Sequence, residues 1–125
     1  MITNITDKQF IKTYRSAALW FVALYMEAFL LRISELEDDG RKSKLIEEIY
    51  DNGENAFDKD ESGTRTRVNC LWRIIKAGRA VQALEVAANS NRLKKNFYDA
   101  FKIANDLLKR IKNGEFIMPK GYEAQ

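Results

Sequence analysis

Residues 17–31 read AALWFVALYMEAFLL, with Glu27 as the one charged side chain. A run this apolar has to be covered on most sides, so the rest of the chain must be arranged around it. It is shorter than the roughly 20 apolar residues of a helical membrane span, which makes a buried helix the expected structure. No membrane association is expected. The opening MITNITDKQF lacks a basic stretch followed by an apolar one, so it does not read as a secretion signal, and a cytoplasmic protein is expected.

The composition favours helix. The single proline is Pro119, six glycines are spread along the chain, and valine occurs four times. Few breakers and many Ala, Leu, Lys and Glu support helices, and no stretch alternates cleanly enough for a strand. At 125 residues the chain is expected to form one domain able to bury a core without staples. The predicted fold is an all-α helical bundle with helices at about 7–36, 43–51, 64–88 and 92–112 and an extended tail over 114–125.

Thr6 or Asp7 is placed to cap the first predicted helix. At 100° per residue its polar strip holds Lys12, Ser16, Glu27 and Ser34, leaving about 260° of apolar surface. Either a central position or self-association would cover that surface, so a homo-oligomer or a subunit of a larger complex is expected. Gly40 reads as the terminator of this helix. Leu45, Ile46 and Ile49 give the short second helix an apolar edge. Asn89 suits a helix end, Ser90 or Asn91 a following cap, and Asn113-Gly114 the close of the last helix. That helix shows apolar i, i+4, i+7 spacing through Leu93, Phe97, Ala100 and Ala104.

Charge is unevenly distributed. Residues 1–62 hold 8 Lys/Arg against 13 Asp/Glu, whereas residues 63–113 hold 12 Lys/Arg against Glu85, Asp99 and Asp106. The halves therefore carry net charges of −5 and +9, and the sign changes within DKDESGTRTRVN, residues 58–69. This stretch begins as a calcium loop does, with Asp58, Asp60, Ser62 and Gly63. Arg65 at the eighth position and Asn69 at the twelfth depart from that pattern, because the site needs an apolar anchor and a bidentate carboxylate there. An acidic turn whose Ser62 or Thr64 caps the third helix is expected instead.

On the third predicted helix, Arg65, Asn69, Trp72, Arg73, Lys76 and Arg79 fall within an arc of about 120°. Val68, Cys70, Leu71, Ile74, Ile75, Gly78 and Val81 take the other side, and Gly78 reads as a point of close helix packing. Arg65 and Arg67 lie near the helix start, where a cation opposes the helix dipole. Either the acidic loop offsets them or an anion binds there. Arg92, Lys94, Lys95 and Lys102 continue the basic surface onto the fourth helix, with Tyr98 among them.

Guanidinium groups bridge phosphate oxygens and an indole can stack on a base. The expected partner is thus nucleic acid or an acidic protein. Two functional classes follow. One is a non-enzymatic accessory protein that docks on nucleic acid or a nucleoprotein complex through this basic face. The other is an interaction module (inhibitor, immunity or assembly factor) that binds an acidic protein surface or self-assembles. An enzyme is not expected. Histidine is absent, which removes the commonest general base, and Cys70, the one cysteine, falls on the core side of its helix. Glu27 has no second carboxylate suitably spaced for acid–base work. GEN, SGTRTR and KAGRA match no phosphate loop, and no cofactor is expected.

Overall fold

The computed structural model describes residues 3–52 and 59–123. The part of the acidic loop over 53–58, including Asp58 of the calcium-like pattern, lies outside the described residues. Among those described there are eight helices and no strand: α1 (Asp7–Ala17), α2 (Leu19–Leu30), α3 (Ile33–Leu36), α4 (Asp39–Asp51), α5 (Glu61–Lys76), α6 (Ala80–Ala88), α7 (Asn91–Asn96) and α8 (Tyr98–Lys112). The all-α bundle is as the sequence predicts, but three of its four predicted helices are divided.

The apolar run forms α2, and α2 is the centre of the molecule. It packs against α5, α6 and α8, while α1 lies along α5 and α6 lies along α8. Phe21, Val22, Ala23, Met26 and Phe29 are fully buried. The cover that the sequence demands is therefore supplied largely within one chain, although Leu31 at the end of the run stays 69% exposed. No helix among the described residues is long and apolar enough to cross a membrane.

The predicted 7–36 helix is divided twice, at Ala18 and between α2 and α3; the breaks at Ala18, Gly78 and Phe97 have the clearest consequences. Thr6 opens α1 with a capping box, its hydroxyl accepting from the Gln9 amide and the Gln9 side chain accepting from the Thr6 amide. The predicted 7–36 helix then breaks at Ala18, which adopts φ 73° and ψ 135°. This is a conformation that a residue with a Cβ rarely takes, at a cost of about 1–3 kcal/mol. No glycine or proline marks the place; tertiary packing imposes it. The break turns Trp20 and Phe21 inward, and Arg67 of α5 donates to the freed Ala17 carbonyl at 3.0 Å. Ala18→Gly is accordingly expected to stabilise the fold by about 1 kcal/mol. Thermal unfolding should show a rise of roughly 3–5 °C; a fall would mean that Ala18 is not under strain.

The predicted 64–88 helix divides at Gly78, which corrects the reading of Gly78 as a mid-helix packing residue. Gly78 sits at φ 71°. Its amide donates to Ile75 and the Arg79 amide donates to Ile74, the paired bonds of a Schellman stop. The change of direction lets α6 bury Ala80, Ala83, Leu84 and Ala87. The predicted 92–112 helix divides at Phe97 (φ −141°, ψ 62°), whose ring stacks on Trp20 at 6.1 Å and 24°. Gly114, at φ 77°, closes α8 with a second Schellman pair, as expected from Asn113-Gly114.

Two smaller assignments also change, and one expected cap is found. Gly40 does not terminate a helix but lies in the first turn of α4, which Asp38 caps by accepting from the Arg41 amide. Asp60, rather than Ser62 or Thr64, caps α5. Ser90 caps α7, accepting from Leu93 at 3.0 Å. The tail after α8 is not helical, yet it is anchored: Tyr122 is buried and its ring lies 5.8 Å from that of Trp72.

Candidate functional site

The break at Ala18 shapes a depression of the surface. An open cleft of about 780 Å³ lies between the α1–α2 junction, α5 and α7. Arg15, Arg67 and Arg92 supply its cations, and Tyr14, Trp20 and Phe97 supply aromatic walls. Ala18, Leu19, Ser90 and Leu93 complete the lining, and none of these residues is acidic. Arg67 is held in place by the Ala17 carbonyl and by the Trp20 ring, whose centroid lies 5.0 Å from its guanidinium carbon. A guanidinium fixed in this way loses little freedom on meeting an anion. Arg15 and Arg92 are exposed and free to adjust around it.

The predicted basic face is consequently not one surface. Arg67 stands about 200° around α5 from Arg65, so it faces the cleft while the stripe faces elsewhere. Arg65, Asn69 and Arg73 of the stripe are exposed. Asn69, Trp72, Arg73 and Lys76 line a second recess of about 530 Å³ with Lys42 and residues 3–5. The N-terminal segment is tied there by the Thr3 amide, which donates to the Lys76 carbonyl at 2.6 Å. Of the arginines near the start of α5, Arg65 pairs with Glu61 at 2.8 Å, and Arg67 donates to the Ala17 carbonyl at the cleft.

Two predicted site residues serve the fold. Trp72 is 6% exposed, with Lys76 Nζ 5.3 Å from its ring and Tyr122 beside it, so its faces are not offered to a base. Arg79 begins beyond the Gly78 stop and leaves the stripe. It pairs with Asp7 at 2.8 Å, donates to the Ile5 carbonyl at 2.7 Å and lies over Phe10 at 5.2 Å, which clamps the N-terminal segment to α6. Lys94, Lys95 and Lys102 are exposed on α7 and α8. Lys94 lies near the Phe101 ring and Lys102 near Tyr98, at 5.8 and 5.4 Å.

The residues weighed for chemistry are engaged structurally. Glu27 forms a two-pronged pair with Arg110, at 2.5 and 3.2 Å, joining α2 to α8. Hydrogen bonding to Glu27, and then to Asp106, raises the pKa of Arg110 and keeps it charged. Burial pushes the Cys70 thiol up, against the opposing charges of Arg73 and Arg67, which disfavours the thiolate a nucleophile requires. Asp60 is held below the usual carboxylate range by the Ser62 hydroxyl and amide. No group of three or more His, Cys, Asp or Glu among the described residues is placed to hold a metal ion.

Sequence reasoning missed Arg15, Tyr14, Trp20 and Phe97 as cleft residues. Their separation in sequence gives no periodic signal, and only the break at Ala18 brings them together. No family model, curated protein or solved structure matches the chain.

Proposed function

We propose that the protein is a non-enzymatic nucleic-acid-binding accessory factor and that the cleft at the α1–α2 junction is its principal contact. The observation that carries this reading is the convergence of Arg15, Arg67 and Arg92 on one aromatic-walled depression with no acidic residue among its described lining. Planar guanidinium groups match phosphate oxygens in pairs, and a fixed central guanidinium with two adjustable neighbours suits a polyanion. The net charge of +9 over residues 63–113 favours encounter with such a ligand. Arg65, Asn69, Arg73 and Lys76 of α5 extend the basic surface away from the cleft.

Fluorescence anisotropy of a labelled mixed-sequence oligonucleotide across about 50–200 mM salt tests the proposal. Three phosphate contacts on a single strand predict a log–log slope of about −2. The double substitution Arg15→Glu with Arg92→Glu is expected to weaken binding by at least about 10-fold and to reduce the slope by about 1–2. Both residues are exposed, so helical circular dichroism should be retained. Arg73→Glu with Lys76→Glu probes the α5 stripe separately. No retention of either DNA or RNA at low salt would sink the proposal, as would a cleft variant that binds like the parent.

A further inference from the structure

We infer that the ligand is single-stranded and that Tyr98 is the platform on which one of its bases stacks. This rests on the nucleic-acid reading of the cleft and specifies which form of nucleic acid it takes. The starting point is an aromatic asymmetry. Among the described residues, Tyr98 is the one exposed aromatic side chain, at 54%. The other described rings are buried or half-buried.

The cleft itself offers no open indole face. Trp20 is 8% exposed, whereas Tyr98, which also carries a stacked ring and a nearby cation, is 54% exposed. The cleft is therefore a place for phosphate, and a base has to be met elsewhere. The chain supplies that place one residue later. Phe97 leaves the helical conformation to wall the cleft, and Tyr98 begins α8 on the outside. Tyr98 stacks on Phe101 at 6.3 Å and 20°, which fixes its orientation, and Lys102 Nζ lies 5.4 Å from the Tyr98 ring.

The surroundings fit a strand leaving the cleft. Residues 91–105 carry Arg92, Lys94, Lys95 and Lys102 against Asp99 alone. A basic track beside an exposed ring is the arrangement by which proteins hold single strands without reading sequence. A duplex cannot use it in this way, because its base faces are already stacked on one another. A single strand presents a phosphate to the arginines and turns an unstacked base to the tyrosine.

The test compares the full chain and its variants on two probes. One is a labelled single strand longer than about 16 nucleotides, and the other is the same strand annealed to its complement. Tyr98→Ala is expected to weaken single-strand binding by roughly 5- to 150-fold, the range for one stacked base, and to leave duplex binding within about twofold. Tyr98→Phe keeps the ring and should bind the single strand like the parent. Equal losses on both probes, or no loss on the single strand, overturn this inference while the nucleic-acid reading stands. Loss of affinity in Tyr98→Phe also overturns it, since the hydroxyl would then be the contact. If the parent protein binds neither probe at low salt, both the inference and the reading beneath it fail.

Discussion

Phe21→Ala is expected to lower the free energy of unfolding by about 3–5 kcal/mol, the cost of truncating a fully enclosed phenylalanine. Phe21 is 0% exposed and stands at the centre of three other rings, with centroids at 4.7 Å for Tyr25, 5.9 Å for Trp20 and 6.1 Å for Phe29. It lies on α2, which α5, α6 and α8 all contact, so the cavity would open where no exposed element can move in to fill it. A domain of this kind has about 5–15 kcal/mol in total, so the loss takes a large share of it. Urea unfolding should show the midpoint falling with an unchanged slope, and the thermal midpoint should drop by roughly 10–20 °C. Leu31→Ala, in the same apolar run but 69% exposed, should stay within about 0.5 kcal/mol of the parent. A loss below about 1 kcal/mol for Phe21→Ala would mean that α2 is not the core of the fold.

That contrast shows what was legible in the sequence. The apolar density of residues 17–31 announced a buried helix and left open whether a central position or self-association covers it; the structure places α2 at the centre of the bundle. Stops with their own chemistry were also legible, such as Ser90 as a cap and Gly114 as a left-handed closing residue. Breaks without such chemistry were not. Ala18 and Phe97 carry no stop chemistry of their own, and in the structure their breaks accompany the stacking of Trp20 on Phe97. Gly78 was visible, but glycine inside an apolar pattern reads equally as close packing or as a stop. The Schellman bonds of Ile74 and Ile75 decide it.

These same breaks explain why the candidate site was only partly legible. A helical wheel assumes one continuous helix, so it carried Arg79 along the α5 stripe. In the structure the chain has already turned, and Arg79 clamps Asp7 and the Ile5 carbonyl. Arg67 and Arg92 were recognisable as basic surface residues. That they share a cleft with Arg15 depends on α1 ending where α5 begins, a tertiary arrangement without a sequence period. Charge asymmetry thus drew attention to Arg67 and Arg92 and passed over Arg15, the cleft cation that the acidic half contributes.

Trp72 gives the second large effect and separates a structural indole from a stacking one. Trp72→Ala is expected to cost about 3–5 kcal/mol, because the ring is 6% exposed and holds the tail through Tyr122. Tyr122 is buried, and burial raises its pKa, with the Glu37 carboxylate 3.4 Å from its hydroxyl adding to the effect. Removing the indole leaves that phenol without its ring partner. Trp72→Leu retains more of the buried volume and should lose less. Measured on folded protein, its affinity for a single-stranded oligonucleotide should match the parent within about twofold, since a stacked base would be worth roughly 5- to 150-fold. The comparison with Tyr98→Ala is then direct. The buried tryptophan should change stability without changing binding, and the exposed tyrosine should change binding without changing stability. A folded Trp72→Leu protein that binds tenfold more weakly would return the ligand to the α5 stripe and displace the cleft as the centre of recognition.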